Sequence, residues 1–297
     1  MSLPSRRLGT AVVSLSALVA LAGCAPADSG SGTSSSSTPA AASSSADPCA
    51  KASLAVHTPG KLTIGTDKPA FAPWFVDDTP SNGKGFESAV GYAVAGKLGF
   101  AQPEVTWVVA GFTSVIAPGP KSFDFDVNQV SITDERKKAV DFSSGYYDVT
   151  QAIITVKGSK IEKATSIAAL TGAKLGAQVG TTSLTTITEV VKPSRQPAVF
   201  NTNDDAKLAL TNGQIDGLVL DLPTALFEVN ADLKNGVLIG QFANTGGTPE
   251  QFGLVLDKGS KLTSCVSQAV DALRADGTLK RLEDQWLTSA AGAPVLS

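Results

Sequence analysis

The chain has 297 residues, 42% hydrophobic against 17% charged, a balance that supports an ordinary packed core. Its formal net charge is −3 and its 24 Lys and Arg are scattered rather than striped, so the electrostatic footprint of a nucleic-acid-binding protein is absent. The single His, His57, sits in a loop sequence with Thr58, Pro59 and Gly60, which excludes His-based triads and most zinc sites, and no other spacing suggests a metal.

Arg6 and Arg7 precede an apolar run from Ala11 to Ala22 that closes on Leu21-Ala22-Gly23-Cys24. The run is shorter than the roughly 20 residues that span a bilayer. A charged start, an apolar middle and a small-residue end read as an export signal over residues 1–23. In the lipoprotein form of such a signal cleavage falls before a Cys whose thiol is acylated, which makes Cys24 the lipid anchor of a body held outside the cell membrane. Residues 24–60 then form a tether and lead-in; the stretch to about Ala46, almost all Ser, Ala, Gly, Thr and Pro, buries too little apolar surface to order itself. With Cys24 acylated, the remaining Cys49 and Cys265 form a pair that an oxidising compartment favours joining, the alternative being two buried thiols.

Lys61 to Asp67, KLTIGTD, alternates Leu62, Ile64 and Thr66 and breaks at Pro69 and Pro73, which predicts a strand running into a loop. Phe86, Val90, Val94 and Leu98 recur at helical spacing in GFESAVGYAVAGKLG, a helix stopped by Gly99. PEVTWVVA reads as a second strand, GFTSVIAP as a helical turn broken by Pro118-Gly119-Pro120, and FDFDVNQVSI as a third strand. Gln151 to Lys157 is a strand with no helix before it. The pattern restarts with a helical turn at Ile167 to Leu170, a strand at Lys174 to Val179, a helix at Leu184 to Val191 and a further helix and strand in NDDAKLALTNGQIDGLVLD. QFGLVLD is another lone strand, and two amphipathic helices follow, one carrying Leu262, Val266, Ala269 and Leu273, the other Leu279, Leu282 and Trp286.

Alternating strands and helices predict an α/β fold with parallel sheets. The two lone strands fall where the chain would pass between two α/β lobes, so they form a hinge: lobe 1 holds residues 61–151 and 251–297, lobe 2 residues 152–250. Ligands of open α/β sheets bind beyond the carboxyl ends of the strands, which aims the loops of both lobes at one cleft.

GKG at Gly83 to Gly85 lacks the spacing of a phosphate loop and reads as a turn. More informative is a set of polar residues at strand ends: Asp67, Gln129 and Ser131, Arg136 a helical turn later, Thr181 and Thr182 after Gly180, and Asp221 before Pro223. Singly, each could be a cap or a solvated charge. Together they suit a small zwitterion: a guanidinium holds a carboxylate through paired hydrogen bonds, and an opposing carboxylate holds an ammonium. Because isolated buried charges are costly, those charges are compensated only when both walls meet around the guest.

In order along the chain, LTIGTD, GFESAVGYAVAGKLG, SITDERKKAVDFSSGYYD, LGAQVGTTS, NGQIDGLVLD and DGTLKRLEDQW resemble the family 3 extracellular solute-binding proteins, the polar amino acid receptors of ABC importers. The resemblance implies a two-lobed periplasmic-binding-protein-like fold of type II, acting as a monomer without cofactor, with an amino acid ligand and a membrane permease as partners. It further implies that Arg136 binds the ligand carboxylate beside Ser131 and the backbone of Gln129, that Thr181 and Thr182 add contacts, and that Asp221 binds the ammonium. Asp67, Phe71, Trp74 and Phe112 fall where the family lines its side-chain pocket. Departures are Asn128 and Gln129, where many relatives carry Gly or Ser, an extra residue in AFAPW, and Pro118-Gly119-Pro120 in place of a longer helix. The same fold resembles cyclohexadienyl dehydratase, an enzyme, and a sensor subunit is a third role compatible with it.

Overall fold

A computed structural model of the chain describes residues 47–244, 249–287 and 293–297; the export signal, Cys24 and most of the tether lie outside the described residues. Strand β1 (Leu62–Thr66) is buried at every position, as its apolar, β-branched sequence requires of a central strand. It runs parallel to β2 (Val105–Val109) and to β3 (Phe125–Asp126). Helix α1 (Phe86–Lys97) buries Phe86, Val90 and Val94. It starts at Gly85, where φ is +98° and a Cβ would lie 2.4 Å from the Trp74 carbonyl, so only glycine fits. Helix α2 (Phe112–Ile116) follows β2, and β4 (Asp141–Val149) follows β3.

The second sheet begins with β5 (Gln151–Val156) and takes in β6 (Leu175–Gln178), α3 (Thr182–Thr186), β7 (Ala198–Phe200), α4 (Asn203–Thr211), β8 (Gly217–Asp221), α5 (Leu222–Phe227) and β9 (Gly236–Phe242). The chain then returns through β10 (Glu250–Leu256) to α6 (Thr263–Ala275) and α7 (Thr278–Trp286), and ends in β11 (Val295–Leu296). The first sheet has the order β2-β1-β3-β10-β4, the second β11-β9-β5-β8-β6-β7. Each sheet is apolar on both faces. In the second, Ala152 and Ile154 of β5 join Leu218 and Leu220 of β8 in one core, while Ile153 and Val219 enter the opposite one, the period of two that a pleated strand imposes. In the first, Ile64 and Leu254 pack with α1 and α6, and Val255 packs with Phe112 and Val115 on the other side. A Cys49–Cys265 disulfide ties the lead-in to α6.

The sheets are mixed rather than parallel. The crossing strands are the reversed ones: β10 is antiparallel to β3 and β4, and β5 to β8 and β9. The long third strand expected over FDFDVNQVSI shrinks to Phe125–Asp126, because Gln129 turns the chain into the left-handed region at φ +48°. The helix expected from Leu184 begins two residues earlier at Thr182, capped by the Thr181 hydroxyl accepting the Leu184 N–H, and continues as a π-helical turn to Val191. One boundary is corrected at the C-terminus: β11 pairs with β9 in the second sheet, with Leu296 buried in that core, so the last residues leave lobe 1. Gly240 admits this tail, since a Cβ there would stand 2.7 Å from the Pro294 carbonyl.

Candidate ligand-binding site

Between the carboxyl ends of the strands lies a cavity of about 60 Å³ walled by both sheets. From the first sheet come Asp67 after β1, Phe112 at the start of α2, Gln129 and Ser131 after β3, and Arg136; from the second come Thr181 and Thr182 before and in α3, and Asp221 at the end of β8. The structure thus brings together nine of the ten expected ligand-site residues, Phe71 included.

Arg136 is 8% exposed and is held by its neighbours rather than by solvent. Its Nη1 donates to the Ser131 carbonyl at 2.6 Å, its Nη2 donates to the Gly180 carbonyl at 2.9 Å, and its guanidinium lies 5.4 Å from the Phe112 ring centre. Burial pushes its pKa down, while Asp221 and Glu250 pull it back up; a guanidinium stays charged throughout. Its remaining N–H groups are available to a carboxylate.

Asp221 closes β8 in register with Gln151, the first residue of β5, whose Nε2 donates to Asp221 Oδ1 at 2.7 Å. Burial, then the negative charge of Glu250, push the Asp221 carboxyl up to about 8, against the opposing pull of Gln151 and Arg136. An ammonium beside it would reverse that penalty.

The other candidates divide. The Thr181 hydroxyl is spent locally, donating to the Gln178 carbonyl at 2.7 Å and capping α3. Thr182 Oγ1 stands 3.3 Å from Ser131 Oγ across the cleft. Asp67 accepts the Lys68 N–H at 2.7 Å and the Phe112 N–H at 3.2 Å, so its carboxylate also anchors the start of α2. Phe71 is 36% exposed, with Lys207 of α4 5.9 Å from its ring centre. Trp74 is the exception: it does not line the cavity, and Phe75 stands there instead. At 1% exposure Trp74 packs edge-on against Phe86, Tyr147 and Phe252, and its Nε1 donates to Thr224 Oγ1 of α5 at 2.9 Å, a bond between the lobes.

Beneath the cavity a group appears that the strand-end reading missed. Fully buried Glu87 accepts the Gln129 N–H at 2.8 Å, the Gln129 Nε2 and the Tyr146 hydroxyl, which holds the left-handed turn at Gln129 in place. Burial pushes the Glu87 carboxyl up to about 7. Asn128, Gln178, Ser183 and Asn203 also line the cavity. Of these, Asn128 was visible in the sequence as a departure beside Gln129, and Gln178 and Ser183 lie in the LGAQVGTTS segment without having been picked out; Asn203, which follows the helix-capping Thr202, was not anticipated. Thr66 Oγ1 and Asn128 Nδ2 are buried at the wall without a hydrogen-bond partner among the described residues.

Arg136 and Asp221 thus face one cavity from two walls, with polar groups behind them and hydrogen bonds between the lobes beside it. Residues 62–289 match the family model of bacterial extracellular solute-binding proteins, family 3. The chain is 26% identical over 248 residues to the L-arginine-binding protein of Pseudomonas aeruginosa, covering 79% of this chain and 94% of that protein. Among solved structures, an ancestral arginine-binding protein bound to arginine matches with a TM-score of 0.65 and 31% identity, over 77% of this chain and 99% of the other. The ancestral amino acid-binding protein AncCDT-1, described as a precursor of cyclohexadienyl dehydratase, matches with a TM-score of 0.62 and 29% identity, over 77% and 96% of the two chains. These neighbours share the two-lobed type II fold. The chain therefore belongs to the bacterial extracellular solute-binding proteins, family 3.

Proposed function

We propose that this protein is a lipid-anchored extracytoplasmic receptor that captures a polar amino acid between its lobes and delivers it to an ABC importer. The observation that carries this reading is that Arg136 and Asp221, from different lobes, line one cavity. Arg136 would take the α-carboxylate with Ser131 and Thr182 beside it, and Asp221 the α-ammonium. Asp67, Phe71, Phe75 and Phe112 would receive a polar side chain. Closure follows from the same chemistry: a guest that touches both walls binds the closed arrangement more tightly than the open one and shifts the balance towards it.

The names of the relatives, arginine-binding and amino acid-binding, support this class of ligand. Acylation at Cys24 and a flexible tether would keep the body near the permease. A thermal-shift screen of the common amino acids tests the proposal: one or a few polar amino acids should raise the melting temperature and be recovered unchanged after incubation. No stabilisation by any amino acid, or turnover of a prephenate-like compound, would overturn it.

A further inference from the structure

Gln151 is 5% exposed and belongs to the strand on which the chain enters the second sheet. Its amide cannot be turned over. Oε1 accepts the Ser183 hydroxyl at 2.6 Å, while Nε2 faces two acids, lying 2.7 Å from Asp221 Oδ1 and 3.3 Å from each carboxylate oxygen of Glu250. The reverse orientation would aim the amide oxygen at both carboxylates. Glu250 opens β10, the strand on which the chain returns to the first sheet, and pairs with Val149 at the end of β4. Its Oε1 accepts the Ser131 hydroxyl at 2.5 Å, and the Ser131 carbonyl accepts Arg136 Nη1 at 2.6 Å. Hydrogen bonds to the hydroxyl and to the carbonyl of Ser131 therefore link Arg136 to Asp221 by way of Glu250 and Gln151, through the hinge rather than across the cleft.

We propose that Gln151 and Glu250 are positioning residues that hold Asp221 ready for the ligand's ammonium and tie it, through Ser131, to the carboxylate anchor Arg136. The inference rests on the receptor reading of the site and adds to it a basis for selectivity. Glu250 lies within one amide group of Asp221, so two carboxylates share the N–H groups of Gln151. A ligand with an ammonium relieves their repulsion. A ligand without one offers no charge to hold Asp221 ionised beside Glu250 and gains nothing from the pair, so it binds more weakly. Gln151 Nε2 has a further acceptor, Thr182 Oγ1 at 3.2 Å, so when an ammonium takes the Asp221 oxygen the amide keeps partners and the change reaches Glu250 and Ser131. The charged and titratable groups that act on Asp221 are Glu250, Arg136, Glu87 and the Tyr147 phenol.

Calorimetry with L-arginine and L-glutamine, each beside its deaminated counterpart, guanidinovalerate or glutaramate, provides the test. Gln151→Leu should weaken the amino acid by about 10-fold or more and leave the deaminated acid nearly unchanged, because a hydrogen bond to a charged group is lost only where that charge is used. Equal losses for both ligand types, or an unchanged ratio, would overturn the inference. Should Gln151→Leu not fold, Glu250→Gln preserves the side-chain shape and must also narrow the ratio. If the wild-type chain binds no amino acid at all, the receptor reading fails separately. The relay is then judged by the titration of the Asp221 carboxyl carbon in NMR, whose midpoint must fall in Glu250→Gln and overturns the inference if it does not.

Discussion

Arg136 reaches from the first lobe to the second, its Nη2 donating to the Gly180 carbonyl at 2.9 Å. The same side chain is thus both the expected carboxylate anchor and a bond that closes the lobes. Arg136→Ala removes both, and a paired hydrogen bond to a carboxylate is among the stronger polar contacts. Amino acid binding should fall by about 100-fold or more by calorimetry, while far-UV circular dichroism stays native. Retained affinity would refute the assignment.

Asp221 gives a pH dependence with a definite sign. Its carboxyl sits up to about 8 in the folded chain, above the ordinary carboxylate range, so the folded state holds a proton that the unfolded chain has already released. From this group, stability is greatest at low pH and falls as pH rises from about 4 towards 8. Asp221→Asn should therefore melt higher than wild type at pH near 8, with the gap narrowing towards pH 4, by scanning calorimetry of the ligand-free proteins. The same variant should lose amino acids far more than their deaminated analogues, so stability and binding move in opposite directions. A ligand ammonium also pulls the Asp221 proton off, and calorimetry in buffers of different ionisation enthalpy should register proton release on binding near pH 7.

Trp74 and Thr224 offer a separate measure of closure, since their hydrogen bond crosses the lobes without touching the cavity. Trp74→Phe keeps an aromatic ring in the cluster but removes the indole N–H together with part of the fused ring. Affinity for every ligand should fall by about 5-fold, matching one neutral hydrogen bond, and combination with Thr224→Val should add little. Selective loss for one ligand would place the indole in the pocket after all.

The Cys49–Cys265 disulfide closes a sequence separation of 216 residues, and neither Cys lines the cavity. Replacing both by Ser should lower the stability to urea by about 2–4 kcal/mol and leave amino acid affinity within about 2-fold. Binding lost together with stability would show that the lead-in supports the site.

Cys24→Ser tests the anchor. The variant should leave the membrane fraction for the soluble fraction, with amino acid binding intact. Membrane retention without acylation would overturn the lipoprotein reading.

Much of this molecule is written locally. The alternation in KLTIGTD, the helical spacing of Phe86, Val90 and Val94, and the position of Arg136 after SIT are short-range patterns, because backbone geometry translates periods of two and of about 3.6 into strands and helices. All seven polar residues picked out at or just after strand ends, Asp67, Gln129, Ser131, Arg136, Thr181, Thr182 and Asp221, line the cavity. What local pattern could not carry is who faces whom. Gln151 has no motif of its own and matters because ladder register sets it opposite Asp221. Glu250 meets it from a strand about a hundred residues away, separated by 99 positions. Trp74 was drawn out of the pocket by an aromatic cluster assembled from Phe86, Tyr147 and Phe252. The reversed direction of β5 and β10, and the return of Leu296 to the second sheet, depend on pairing with strands far off in the sequence. Periodicity records how a segment exposes its own faces; direction, register and charge pairing depend on segments far off in the chain, and only the packed structure brings those together.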